Sequence, residues 1–147
     1  MLHFRGLTIN QLLHYYTVVI RPVLEYCAPA WHYALTKTQA EQLEALQKRA
    51  LRIILNSTPG TPYIFMLSSL NLTTLASRRD HISRKFFDKI SLPSSCLHHL
   101  LPVPREHSIT SRLRYHQKYP KVYTRTKRYT SYIHHAINNY QDKIYNS

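Results

Sequence analysis

Tyr115, Tyr119 and Tyr123 recur at every fourth position, with Lys118, Lys121 and Arg125 threaded between them. A tyrosine ring offers a flat face to an unpaired base, and a neighbouring Lys or Arg can neutralise a phosphate and release its counterion. The surrounding stretch, residues 103–147, holds nine Lys/Arg (105, 112, 114, 118, 121, 125, 127, 128 and 143) and seven tyrosines against two acids, Glu106 and Asp142. Arg112, Arg114, Lys118, Lys121, Arg125, Lys127 and Arg128 are its candidate phosphate ligands, and Tyr115, Tyr119 and Tyr123 its candidate stacking rings. The plainer alternative is a solvated arm whose tyrosines pack under loops. Two more cation groups stand upstream: Lys48, Arg49 and Arg52, and the series Arg78, Lys85, Lys89 at i, i+7, i+11, which could lie along a phosphate backbone. Their plainer reading is a helix rim kept soluble by charge, its lysine stems lying over the core.

Catalytic groupings are missing. Two-metal phosphoryl transfer needs clustered carboxylates, whereas Asp80 and Asp88 sit two helical turns apart with Arg84 between them, the pattern of a surface charge ladder. No Gly-x-Ser-x-Gly, His-Glu-x-x-His or Gly-Lys-Thr motif occurs. Only 2 of the 147 residues are Gly, which excludes glycine-rich phosphate cradles. Cys96, His98 and His99 could supply three zinc ligands, with Cys27 or His32 as a fourth, but their spacing fits no familiar zinc knuckle. With Cys27 and Cys96 69 positions apart, no disulfide framework can be drawn. No metal and no cofactor is expected. Lys plus Arg number 20 against 7 acids, a formal charge of +13, and the pI is near 10.0. That balance favours a polyanionic partner and says nothing of fold.

These residues need elements to hold them. From Asn10 to Trp31, Leu12, Leu13, Tyr16, Val19, Ile20, Val23, Leu24 and Cys27 give a wide apolar helical face, leaving His14, Arg21 and Glu25 on the opposite strip. Pro22 predicts a kink or a restart at Arg21, and Arg21 can pair weakly with Glu25 one turn on. The second helix should open on a capping box at Thr38-Gln39-Ala40-Glu41. It should bury Leu43, Leu46, Ala50, Ile53 and Ile54, point Lys48 and Arg52 away with Arg49 on their flank, and stop at Asn56–Gly60. A short helix follows, with Thr61 as N-cap and Pro62 at its first position. A third long helix should start at Thr73 or Thr74 and end near Ser91 on a stripe of Leu75, Ile82, Phe86 and Ile90. Arg79 falls inside that stripe, where a carboxylate such as Glu25 or Glu44 should pair with it, and Phe87 points elsewhere. Pro93, Pro102 and Pro104 punctuate a linker, and Tyr132, Ile133, Ala136, Ile137 and Tyr140 could form a last amphipathic helix.

The run Leu12-Leu13-His14-Tyr15-Tyr16 and, above all, Ile20-Arg21-Pro22-Val23-Leu24-Glu25-Tyr26-Cys27-Ala28-Pro29-Ala30-Trp31-His32 closely resembles a known segment. It is the segment downstream of the polymerase palm in jockey-like non-LTR (LINE-type) retrotransposon reverse transcriptases. The resemblance continues through Leu35–Lys37, Gln42–Ile54, Leu72–Arg79, Phe86–Ile90, Leu97–Pro102, Arg112–Arg114, Thr126–Ile133 and Asn138–Gln141, nearly the whole chain. It implies a thumb that grips a template–primer duplex, followed by residues that contribute to binding element RNA and target DNA. The family's polymerase depends on a Phe/Tyr-x-Asp-Asp turn and a further upstream Asp. No adjacent Asp pair occurs here, so no catalytic residue carries over.

The fold expected is mainly α: a helical thumb-like bundle of three long helices plus a short one over 1–91, a Pro-containing linker over 92–108, and a basic, Tyr-rich, partly irregular arm with a terminal helix over 109–147. The function expected is that of a non-catalytic C-terminal fragment of an RNA-directed DNA polymerase. Its partners would be RNA or RNA–DNA duplex, held through phosphate contacts, and the remainder of a reverse transcriptase. The alternative is a remnant or protein-interaction module whose apolar first helix, with Val18, Leu24 and Trp31, packs on a missing or new partner. An N-terminus without an apolar core is unlike a signal peptide. Thr17–Leu35 is too often interrupted to span a membrane, which points to the nucleus or cytoplasm.

Overall fold

The computed structural model describes residues 6–112, 114, 117–120 and 125; the regular structure among them is helical, without a strand. In chain order come α1 (Ile9–Tyr15), a π-helical segment (Tyr16–Ile20), α2 (Arg21–Glu25), α3 (Ala28–Trp31), a 3-10 turn (His32–Ala34), α4 (Lys37–Leu55), α5 (Tyr63–Ser69), α6 (Leu75–Ile90), a second 3-10 turn (His98–Leu100) and α7 (His107–Thr110). The chain is mainly α, as its periodicity predicts. No helix among the described residues is long and apolar enough to cross a membrane. Two compact units are present, 1–28 with 35–80, and 29–34 with 81–147; they part inside α6, and residues 92–108 belong to the second. The amphipathic stretch Tyr132–Tyr140 lies outside the described residues.

In the first unit the opening α-helix ends at Tyr15 and restarts at Arg21, one of the two outcomes Pro22 predicts, with a π-helical segment between them. A proline in an α-helix lacks the N–H for its i−4 carbonyl and drives its ring into it. The chain avoids that conflict by widening beforehand: the Arg21 N–H donates to the Tyr16 carbonyl, five residues back, and Pro22 then occupies the first turn of α2. The Thr17 hydroxyl, 3.0 Å from the Leu13 and His14 carbonyls, donates back into the same stretch. One extra residue in the turn rotates everything after it by about 100° against a continuous α-helix. Arg21 and Glu25, expected outside, therefore come round to the inner side with Leu24, while Val19 and Val23 are carried outward.

Tyr16, Leu51, Ile54, Met66 and Leu67 form this unit's core, with Leu12, Leu13, Ala50, Leu55, Tyr63, Leu70 and Leu72 packed on it. Burying each large apolar side chain contributes about 1.5–3 kcal/mol. The α4 stripe is rotated from its expected position: Gln47, Leu51 and Ile54 are buried, while Leu46 and Ile53 are exposed. The helix also begins earlier. Thr36 and Gln39, not Thr38 and Glu41, make the capping box, with the Gln39 N–H on Thr36 Oγ1 and the Thr36 N–H on Gln39 Oε1. Both pairs have the required spacing, and the earlier one adds helical residues. Asn56, at φ 46°, ends the helix in the left-handed conformation. α5 starts after Pro62 without a side-chain cap, because the Thr61 hydroxyl donates to the Thr58 carbonyl instead.

A polar seam joins α4 to the start of α6. Glu44 accepts from the Tyr63 hydroxyl and from the Ala76 N–H, both at 2.6 Å. Gln47 Nε2 donates to the Thr73 carbonyl at 3.0 Å, and Thr74 Oγ1 caps α6 by accepting from the Ser77 N–H. The buried residues of α6 are Leu75, Arg79, Ser83, Phe87 and Ile90. Phe87 is thus on the buried line, and Ile82 and Phe86 only flank it. In the second unit Phe87 and Tyr119 form a small core with Tyr33 and Leu101, and His98 Nδ1 lies 3.1 Å from the Ile90 carbonyl oxygen.

Glu44 should couple Tyr63 to the α6 start. Tyr63→Phe and Glu44→Gln should each lower stability by about 1–3 kcal/mol in urea melts, and the double variant should lose clearly less than their sum; additive losses would break the proposed coupling. Burial pushes the Tyr16 phenol up to about 12, Arg21 opposing the shift and Glu25 and Glu44 adding to it. Unfolded, Tyr16 ionises near pH 10; its contribution is therefore intact below pH 10 and lost as pH climbs towards 12. Its hydroxyl is buried with no hydrogen-bond partner among the described residues, so Tyr16→Phe should leave neutral-pH stability within about 0.5 kcal/mol. The same substitution should flatten the fall in stability between pH 10 and 12, measured by urea melts across that range.

Candidate nucleic-acid interface

Two of the first unit's arginines are held by one carboxylate, that of Glu25. Arg78 meets Glu25 through two bonds, Nε to Oε1 at 2.7 Å and one terminal nitrogen to Oε2 at 2.9 Å. Arg21 Nε lies 3.8 Å from the same carboxylate. The Glu25 side chain is 10% exposed, so this bidentate pair is far less screened than a surface one, and the bonds to Glu25 raise the Arg78 pKa further. The π turn is the cause: it brings Glu25 inward to meet α6. Arg78 therefore drops out of the expected ridge as a free phosphate ligand. Arg79 is 1% exposed; burial lowers its pKa while Glu44 and Glu25 work the other way. It serves the fold, as expected, although the direct bonds of Glu25 go to Arg78. Lys37 pairs loosely with Glu41 at 3.9 Å.

Among Lys48, Arg49 and Arg52, only Arg49 is exposed. Lys48 and Arg52 are half-buried beside Leu51 and Leu55, the consequence of the rotated α4 stripe, and Arg52 Nε is shielded from solvent. This trio does not form the outward row the sequence suggests.

The second unit is different. Lys85 and Lys89, one turn apart on α6, are exposed, as are Arg112, Arg114, Lys118 and Arg125. None of these six forms an ion pair among the described residues. The Arg105 N–H donates to the Lys118 carbonyl at 2.8 Å, which brings the Pro102–Pro104 segment against the start of the arm and sets the half-buried Arg105 beside Lys118. Arg105 is not among the candidate ligands that the sequence suggests. The signal available was the pair of prolines, whose preceding residues favour extended backbone able to pair with another segment.

One stacking candidate is lost. Tyr119 is 3% exposed, packed with Phe87, Tyr33 and Leu101, and Lys118 Nζ lies 5.6 Å from its ring centroid. An arm so poor in other apolar residues anchors itself with the aromatic it has, and that ring is closed to a base. Tyr115, Tyr123, Lys121, Lys127 and Arg128 lie outside the described residues. No group of three His, Cys, Asp or Glu among the described residues could hold a metal ion; Cys27 and Cys96 are free and exposed.

Anchoring predicts a stability phenotype for Tyr119. Tyr119→Ala should lower stability by about 3–5 kcal/mol and Tyr119→Phe, which keeps the packed ring, by clearly less, with RNA affinity unchanged in the Phe variant; denaturant melts and anisotropy titrations on the same samples read both. Compared with protein-family models, curated proteins and solved structures, the chain matches none.

Proposed function

We propose that this chain is a non-catalytic, polyanion-binding piece of a non-LTR retrotransposon reverse transcriptase, thumb-like in its helical part, that holds RNA or RNA–DNA duplex through phosphate contacts. The observation that carries the polyanion reading is the uneven fate of the cations: Arg21, Arg78 and Arg79 are engaged or buried, whereas Lys85, Lys89, Arg112, Arg114, Lys118 and Arg125 stand exposed. The formal charge of +13 supports it, because such a surface concentrates phosphates and releases their counterions. The retrotransposon assignment rests on the Ile20–His32 run and its continuation. Specificity for base sequence is not expected, since every cation named is suited to the backbone.

Anisotropy titrations against an RNA hairpin at several salt concentrations test the reading. Each neutralised phosphate should steepen log K against log salt by roughly 0.7–0.9, so engagement of most of these cations gives a total slope of about 3–5. Replacing Lys85 and Lys89 together by Gln should flatten that slope by about 1–2. Affinity indifferent to salt, or a slope unmoved by the double substitution, contradicts the reading.

A further inference from the structure

The segment leading into the arm carries a residue pattern that neither its packing nor the exposed cations explain. Arg105 stands three residues before Ser108, Val103 five before it and Ile109 directly after. Three serines or threonines of the chain have Arg at that distance, Thr8, Ser108 and Ser131; of these, Ser108 alone also has an aliphatic residue five positions before it. Thr8 is occupied, its hydroxyl capping α1 with Gln11, and Ser131 lies outside the described residues. Around Ser108 the pattern faces solvent. Val103 is 82% exposed and Ile109 50%, so neither owes its apolar character to a core. Ser108 is exposed as well, and its hydroxyl donates to Glu106 Oε2 over a long 3.3 Å.

We propose that Ser108 is a phosphorylation site that weakens the second unit's hold on polyanions. Its enzyme is a serine kinase whose peptide groove is acidic where it meets the residue three before the acceptor and apolar where it meets the residue five before. The effect on binding rests on the polyanion reading. In the transfer, Ser108 Oγ attacks the γ-phosphorus of ATP, the bond from that phosphorus to the bridging oxygen breaks, ADP departs, and the hydroxyl proton passes to a kinase carboxylate. Such a groove takes an extended segment, and this one can supply it. Pro102 and Pro104 favour extended backbone in the residues before them, and residues 102–106 have no regular structure. α7 is a single turn with no buried residue and no side-chain cap, and a turn so short opens at little cost. Arg105 is half-buried, so the same opening must release it. The bond from its N–H to the Lys118 carbonyl keeps the site at the base of the arm. A phosphoserine there adds about −1.5 to −2 charges at pH 7 and three acceptor oxygens. Glu106 repels it, and the nearest Lys or Arg in sequence are Arg105, three residues before, and Arg112, four after. Cations engaged by an internal phosphate are withdrawn from an external one.

The test treats the full chain with Mg-ATP and a purified kinase domain that selects Arg three residues before its serine, and locates the phosphate by mass spectrometry. The expected product carries its phosphate on Ser108, with Thr8 and Ser131 modified far more slowly. Val103→Ala and Arg105→Gln should each slow the transfer by about tenfold or more, and Val103→Ala, at an exposed position, should leave far-UV helicity intact. The phosphorylated chain should bind an RNA hairpin about tenfold more weakly at low salt, its slope of log K against log salt flatter by about 1–2. Ser108→Ala taken through the same reaction should bind like the untreated chain. No phosphate on Ser108, phosphate placed mainly elsewhere, a rate unmoved by Val103→Ala, or unchanged RNA binding after full modification would overturn the proposal. Salt-indifferent binding by the unmodified chain is a different failure: it would overturn the polyanion reading and the switch with it, while the phosphate's position would still decide the modification.

Discussion

Pro22 has neither an N–H to offer nor room for a carbonyl beneath its ring, and most of the first unit is arranged around that fact. The helix opens by one residue between Tyr16 and Ile20, and the rotation this imposes decides what each later side chain meets. Glu25 turns inward to Arg78 and Arg21; Val19 and Val23 turn outward. A straight α-helix of the same sequence would leave Glu25 in water and Arg78 without its carboxylate. An uncompensated, partly buried charge there is unfavourable, so the widened turn and the ion pair sustain one another.

The same arrangement divides the chain's charge. Glu25 and Glu44 do different work: Glu25 neutralises arginines, while Glu44 spends its oxygens on the Tyr63 hydroxyl and the Ala76 N–H, where a carboxylate at a helix start is also favoured by the helix dipole. Both lend negative charge to the buried Arg79. With four acids shared among the cations of residues 1–80, the first unit is much less basic than a count of its lysines and arginines suggests. In the second unit Lys85, Lys89, Arg112, Arg114, Lys118 and Arg125 stand exposed, and the beginning of the arm is anchored through Tyr119 on Phe87. On the proposed reading, stability and polyanion binding draw on different residues.

Much of the fold was legible in the sequence. The helical class, the α4 stop at Asn56, the Thr74 start of α6 and the burial of Arg79 all follow from spacing and cap chemistry. The rest was not, for definite reasons. A period of 3.6 residues cannot show a π turn, so it places Glu25 on the outer strip and leaves Arg78 a free cation. Two overlapping Thr-x-x-Gln/Glu patterns gave two possible caps. On α4 a polar residue, Gln47, occupies the centre of the buried face because it donates to the Thr73 carbonyl, and a hydrophobicity count shifts the stripe toward Leu46 and Ile53. Tyr119 looked identical to its neighbours 115 and 123 in sequence; only the tertiary contact with Phe87 separates it from a stacking ring.

Side-chain reactivity tests the division of charge most directly. Arginine- and lysine-selective modification, read residue by residue by mass spectrometry with and without an RNA hairpin, compares Arg78 with Arg112 and Arg114, and Lys85 with Lys89. We expect Arg21, Arg78 and Arg79 to be unreactive in both states, and Lys85, Lys89, Arg112, Arg114, Lys118 and Arg125 to react freely alone and to be protected by RNA. Rapid modification of Arg78 in the folded chain, or RNA protection confined to residues 1–80, would contradict the account.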